Sequence, residues 1–274
     1  MRPTLHLGLE HKVVLITGAS RGLGRACALA FAAEGARLAL CARGPADLDA
    51  AVAAVTAAHG VEACGIAADV TRADEVARLV EAVLRRYARV DVLVNNAGAG
   101  LARAFGELDD EAWRGAVELN LLAAVRLTRA VAPVMRGQGG GRIVNVAALS
   151  GKRPRLGQVA SNATKAALIS LTESLAGELA PDGIRVNAVC PGLLRNERWS
   201  ARIAALAAAR GVPADEVAAA LGRENIPLGR LGRQEDVAPL VVFLASPVAA
   251  DYITGVSVEV DGGLGRCVAL RGLS

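Results

Sequence analysis

Short aliphatic and β-branched runs alternate with longer alanine-rich stretches along almost the whole chain. KVVLITG (12–18), RLALCAR (37–43), EACGIAADV (62–70), RVDVLVNNAG (89–98), GGRIVNVAAL (140–149), GIRVNAVCPG (183–192) and VSVEVDGG (256–263) each carry a strand-length apolar core near Gly, Asn or Asp. Such runs read as strands buried on both faces. Between them GLGRACALAFAAEG (22–35), PADLDAAVAAVTAAHG (45–60), ADEVARLVEAVLRRYA (73–88), DEAWRGAVELNLLAAVRLTRAVAPVMRG (110–137) and NATKAALISLTESLAGELAPDG (162–183) place apolar residues at three-to-four spacing, most of them closed by Gly. This is the spacing of one helix face, and Gly is the usual helix stop. Strict alternation predicts α/β architecture: a single Rossmann-type, doubly wound parallel sheet of about seven strands with helices on both faces. The ligand is then expected outside the carboxyl ends of the strands, where the Gly, Asn and Asp residues gather.

The pattern contains no linker and no repeat. It divides into an N-terminal arm (1–11), one domain (12–263) and a C-terminal tail (264–274). The irregular part is 193–232, where ERWSARIAALAAARG (197–211) and PADEVAAALGRE (213–224) read as two helices between the sixth and seventh strands. They are placed either to cap the crevice or simply to pack beside it.

Composition narrows the function classes. Thirty-one Lys and Arg stand against 27 Asp and Glu, a formal charge of +4, while aromatic residues make up 3% of the chain. Scattered basic residues without stacking platforms argue against nucleic acid as a partner. Cys27, Cys41, Cys64, Cys190 and Cys267 form no C-x-x-C pair, and no metal-ligand set is evident, so a reducing, cytoplasmic compartment and no metal are expected. The first residues lack the apolar run of a signal peptide. No stretch reaches the roughly 18 uninterrupted apolar residues that would span a membrane.

The chemistry begins at TGASRGLG (17–24), which follows the first strand and opens a helix. Gly18, Gly22 and Gly24, with Ser20, Arg21 and Leu23 between them, let the backbone turn tightly and approach a pyrophosphate at the positive end of that helix. NNAG (95–98) ends the fourth strand, ELN (118–120) lies in the fourth helical stretch, TKAAL (164–168) in the fifth, and PG (191–192) ends the sixth strand. In this order and spacing, from Lys12 to Gly263, these motifs resemble the short-chain dehydrogenase/reductase family, and within it the 3-oxoacyl-carrier-protein reductase-like members.

The resemblance implies a nicotinamide dinucleotide held by Gly18, Ser20, Arg21, Gly22, Leu23 and Gly24, with Asp69 and Val70 at the adenine and Asn96, Ala97 and Gly98 along the nucleotide. Pro191 and Gly192 are implied at the cofactor, Asn196 at the nicotinamide and Lys165 at the ribose. NAD-using members place an acid at the end of the second strand. Here that strand ends Cys41, Ala42, Arg43, and Arg21 sits in the glycine loop. Two guanidinium groups suit a 2′-phosphate, so NADP(H) is favoured over NAD(H).

The family's catalytic set is Asn, Ser, Tyr and Lys. Asn120 and Lys165 match the first and last, but Ser161 stands at the tyrosine position and Ala148 at the serine position. Tyr87 and Tyr252 fall elsewhere, so no local shift restores the phenol; Ser150 lies two residues past Ala148 in what reads as a turn. A serine hydroxyl is shorter and a far weaker acid than a phenol of reference pKa about 10. The catalytic expectation is therefore Asn120, Lys165 and Ser161, with Ser161 or a bound water in place of the phenol.

Lys152, Arg153 and Arg155 fall near the crevice mouth. Either they are ordinary surface charges or they meet an anionic or carrier-bound substrate. His6, His11 and His59 fall outside the site.

The leading reading is an NADP(H)-dependent oxidoreductase acting on a small carbonyl or alcohol and assembling, by resemblance, as a homo-oligomer (dimer or tetramer). Two other readings fit the same residues: a dinucleotide-binding protein without redox activity, in a regulatory or structural role, and a non-redox dehydratase or cyclase on the same scaffold.

Overall fold

The computed structural model describes residues 6–266, apart from the side chains of residues 197 and 198. Residues 1–5 of the expected arm and 267–274 of the tail, with Cys267, lie outside the described residues. In chain order the elements are β1 (Val13–Thr17), α1 (Gly22–Ala33), β2 (Arg37–Ala42), α2 (Pro45–His59), β3 (Ala63–Ala67), α3 (Ala73–Tyr87), β4 (Val92–Asn95), α4 (Asp110–Val117), α5 (Ala123–Gly137), β5 (Gly141–Val146), α6 (Val159–Leu179), β6 (Ile184–Pro191), α7 (Glu197–Arg210), α8 (Ala214–Asn225), α9 (Ala238–Leu244) and β7 (Ser257–Val260). All seven expected strands form.

The strands make one sheet in the order β3-β2-β1-β4-β5-β6-β7, every neighbouring pair parallel. The chain reverses its direction of travel between β1 and β4, which leaves a crevice at the carboxyl ends of those strands.

The continuous apolar runs are explained by two-sided burial. Successive side chains of a strand point to opposite faces. On β1, Val14 and Ile16 pack with Phe31 of α1, Val55 of α2 and Val241 of α9. Val13 and Leu15 pack on the other face with Val76 and Leu79 of α3 and Leu127 and Val131 of α5.

One expected helix is interrupted. Between α4 and α5, Glu118–Leu122 forms a π-helical turn, so 110–137 is not a single regular helix. Its wider turn re-aims the residues it contains, and such turns recur at functional sites.

The expected helices at 193–232 form as α7 and α8, with a small core of their own: Ile203, Ala207, Val217, Ile226 and Leu231. Asn196 caps α7, its Oδ1 accepting the Trp199 N–H at 3.0 Å. Among the described residues, no helix is long and apolar enough to cross a membrane, and no group of three or more His, Cys, Asp or Glu residues is placed to hold a metal ion.

Candidate active site

The site grows from the β1–α1 turn. Thr17 ends β1, and its Oγ1 accepts the backbone N–H groups of Asn96 and Ala97, each at 3.1 Å. Asn96 returns the tie, its Nδ2 donating to the carbonyls of Thr17 (2.9 Å) and Gly18 (3.0 Å). The glycine loop and the end of β4 are thereby locked across the switch point. Gly22 adopts φ +55°, a left-handed conformation that favours glycine. No side chain caps the first turn of α1, which suits an anion at that helix end.

From this loop a cavity of about 660 Å³ runs along the strand ends. Gly18, Ser20, Arg21, Leu23, Arg43, Asp69 and Val70 line one end, with Asn96, Ala97 and Gly98 along its length and Ser161 and Lys165 at the other end. At the first end Asp69 is held by its neighbours. Burial raises its pKa, but hydrogen bonds from Thr71 N–H (2.9 Å) and Oγ1 (2.7 Å), with the Arg43 and Arg72 charges, outweigh this and hold the carboxyl below its ordinary range.

At the second end the side chains are brought in by close packing. The backbone of Gly151 lies so near α6 that an added Cβ would stand 2.7 Å from the carbonyl carbon of Lys165. Lys165 is buried, and its Nζ donates to the Val146 carbonyl at 2.7 Å. Burial, opposed slightly by Cys190, lowers its pKa to about 8. Asn120, carried inward by the π turn, accepts the Ala99 N–H at 2.9 Å and donates to the Ala99 carbonyl at 3.0 Å and to Thr164 Oγ1 at 3.3 Å. A methyl group at Gly98 would lie 3.0 Å from Asn120 Oδ1 and 3.2 Å from Lys165 Nζ. The two polar groups therefore converge on one point of the cavity wall.

Ser161 sits one helical turn before Lys165 and is 3% exposed. Its Oγ accepts the backbone N–H of Leu101 at 2.7 Å, from the loop that follows β4. Ala148 lines the same end and offers no side-chain donor; Ser150, in the short helical turn Leu149–Gly151, lines it as well.

Several expected residues stand elsewhere. Gly24 is buried behind the loop and Gly22 is exposed on it, so both shape the cavity without forming its wall. Pro191 and Gly192 end β6, where Gly192 presses on Asp261: a Cβ there would lie 2.7 Å from that residue's Cβ. Asn196 is exposed and spends its side chain on the α7 cap. Its side chain is engaged in that cap, where the chain turns into α7. The cavity also takes in Asp47 of α2 and Gln158 at the start of α6. Neither carries a motif signal; each reaches the site only through the packing of its helix.

The basic residues after β5 are engaged in structure. Lys152 Nζ donates to the Ser257 carbonyl and lies 3.6 Å from Glu259. Arg153 Nε donates to the Gly265 carbonyl at 3.1 Å. Arg155 lies over the Trp199 ring, 5.3 Å from its centre, and so ties the β5–α6 loop to α7.

A family model described as Enoyl-(Acyl carrier protein) reductase matches residues 18–265. The 3-oxoacyl-[acyl-carrier-protein] reductase of Synechocystis sp. is 38% identical over 257 residues, 93% of this chain and 98% of that protein. The sorbitol dehydrogenase of Cereibacter sphaeroides is 39% identical with the same coverage of this chain and 98% of its own length. Among solved structures, L-sorbose reductase from Gluconobacter frateurii, complexed with NADPH and L-sorbose, superposes with a TM-score of 0.93 at 36% identity, covering 96% of this chain and 100% of that one.

Proposed function

The chain belongs to the short-chain dehydrogenase/reductase family and is an oxidoreductase of that type, and on that premise we propose that it uses NADP(H) to interconvert a small carbonyl and alcohol without a phenolic proton donor. The observation that carries this reading is the composition of the cavity along the strand ends. It keeps Lys165 and the neighbouring Asn120 and has two arginines at the other end, while the substrate side presents Ala148 and Ser161.

A dinucleotide fits the residues present. Gly24 leaves no room for a Cβ beside Gly18 and Asn96, and Gly18, at φ +64°, lines the cavity with backbone alone, which suits a pyrophosphate there. Arg21 and Arg43 would hold a 2′-phosphate, Asp69 and Val70 the adenine, and Lys165 the ribose. When bound, the cofactor supplies hydride chemistry. The protein's residues align the partners and manage the proton, with the small Ser161 side chain occupying the phenol's position. Losing a positioned acid costs on the order of 10²–10⁴-fold, which alignment of the reactants can partly offset. The substrate is a carbonyl activated enough to need little help, of ketose, oxoacyl or quinone type, free or carrier-bound. We place the enzyme as a homo-oligomer, a dimer or tetramer.

Titration with NADPH and NADH, followed by turnover on a carbonyl panel, tests this. NADPH should bind at least tenfold tighter than NADH, and Arg43→Ala should remove about tenfold of the NADPH affinity while leaving NADH unchanged, since a charge-assisted contact is worth roughly 1.5–3 kcal/mol. Equal affinities in the unaltered protein would overturn the NADP assignment. Tight binding without turnover of any carbonyl would overturn redox activity in favour of a dinucleotide-binding role.

A further inference from the structure

The substrate end of the cavity poses a chemical problem. A reduced carbonyl oxygen needs a proton, and the walls there are Val146, Ala147, Ala148, Ser150, Gln158, Ser161 and Lys165. Among these described residues, Lys165 alone is ionisable. Arg21, Arg43, Asp47 and Asp69 belong to the β1–β2–β3 end, across the sheet from α6. Resting on the reductase reading above, we propose that the Lys165 ammonium itself delivers the proton to the substrate oxygen, and that Ser161 is a positioning residue that pins the Leu101 backbone beside it.

Three geometric facts support this division. Ser161 and Lys165 are four residues apart on α6 and so share one helix face. The Ser161 oxygen accepts the Leu101 N–H at 2.7 Å, which ties the loop after β4 to α6. Lys165 Nζ has its Val146 carbonyl at 2.7 Å, and an ammonium carries three donors, so it has protons to offer toward Gly98 and the cavity.

Charge around Lys165 favours a labile proton. From β6 it faces Cys190, itself pushed up to about 11 by burial and so a neutral thiol near pH 8. Lys152 and Glu259 act on that thiol and pair with each other at 3.6 Å. Gly98, Asn120 and Ser161, which face it from the loop after β4, the π turn and α6, are not ionisable; Arg103, Asp109 and Glu111 line the adjoining cavity on the far side of Asn120, and Glu118 of the π turn pairs with Arg126 at 2.7 Å. An amine buried without a carboxylate beside it loses its proton more readily than one in water, and an acid works best with a pKa near the operating pH. An aliphatic hydroxyl lies far from that range.

The step balances. Once the carbonyl carbon has received hydride, the C=O π pair resides on oxygen, a proton passes from Nζ to that oxygen, and the alcohol and a neutral amine remain. Solvent then reprotonates the amine through the open cavity. In the oxidative direction the neutral amine is the base.

Lys12, Lys152 and Lys165 are the lysines of the chain, so ¹³C-lysine labelling gives a spectrum simple enough to titrate by NMR in the free protein. The resonance missing in Lys165→Arg should titrate near pH 8; a midpoint at 10 or above would overturn the proposal. For turnover, reduction should fall tenfold per pH unit above about 8, and a rate flat through that range sinks the idea without any variant. Lys165→Arg keeps a cation but cannot yield its proton: at saturating NADPH, reduction should slow ~100-fold or more. Reduction by Lys165→Arg at the unaltered rate overturns the proposal. Ser161→Ala should lower the rate with the pH midpoint unmoved, and a shifted midpoint overturns the positioning role. A midpoint near 8 with no carbonyl turned over brings down the reductase reading, and the proton step with it. A midpoint of 10 alongside good turnover brings down the lysine assignment alone.

Discussion

At Gly24 a methyl group would overlap the carbonyl oxygen of Gly18 and lie 2.6 Å from Asn96 Nδ2. At Gly22 nothing lies within 4 Å, and only φ, at +55°, favours glycine. Two glycines of one motif thus have different reasons to be glycine. Gly24→Ala should cost about 1–3 kcal/mol by overpacking and loosen the Thr17–Asn96 lock, weakening NADPH binding. Gly22→Ala should cost about 1 kcal/mol from the left-handed backbone. Urea unfolding with NADPH titration separates them; equal losses at both sites would contradict this account. At this scale the sequence was informative. Ser161 and Ala148 were legible as departures because their positions are counted from Lys165 and Gly151. That the Ser161 oxygen would be engaged by Leu101, 60 residues earlier in the chain, was not legible, because no local pattern links a helix residue to a distant loop N–H.

Among the elements, α7 and α8 stand apart energetically. Their core of Ile203, Ala207, Val217, Ile226 and Leu231 is separate from the clusters that flank the sheet. Segments with few ties to the main core open at lower free energy than the whole. Ile203→Ala, a buried truncation costing about 2–5 kcal/mol, should raise hydrogen exchange and proteolysis within 197–225 and leave the main unfolding transition nearly in place. A matching drop in the global midpoint would show that these helices are part of the main cooperative unit. Sequence periodicity located both helices, because each buries one apolar face. It did not reveal the π turn at Glu118–Leu122, since apolar spacing there continues across the interruption, while Asn120 within the turn bonds to Ala99 of a distant loop.

At the scale of the whole molecule, one buried acid-sensitive tie lies at the foot of the sheet, opposite the active site. Asp91 is buried; its Oδ2 accepts the Val13 N–H at 2.9 Å and Arg89 Nε at 2.8 Å, and its Oδ1 accepts Arg89 Nη2 at 2.6 Å. Burial raises the Asp91 pKa, but these bonds and Lys12 at 3.6 Å outweigh it, so the folded-state value lies below the ordinary one. A depressed carboxylate contributes stability that is present above its unfolded pKa, about 3.9, and is lost as pH falls through the folded value. The thermal midpoint should therefore hold near neutrality and drop below about pH 4. Asp91→Asn should lower stability at pH 7 by about 1–3 kcal/mol and flatten that acid limb. An acid limb of undiminished depth in Asp91→Asn would place the pH sensitivity elsewhere.

The chain's alternation of apolar runs and amphipathic stretches determined the strands, most helices and their layering by itself, because burial on two faces requires that periodicity. Its motifs likewise determined the glycine-lined crevice at the strand ends, since glycine loops and strand ends act through backbone geometry set locally. Tertiary structure decided what the substrate side contains. Asp47, Gln158 and the Leu101 N–H enter the site only when their elements pack, and Asn196 is claimed by the α7 cap. The burial that sets the acidity of Lys165 likewise depends on side chains and strands brought together from across the chain.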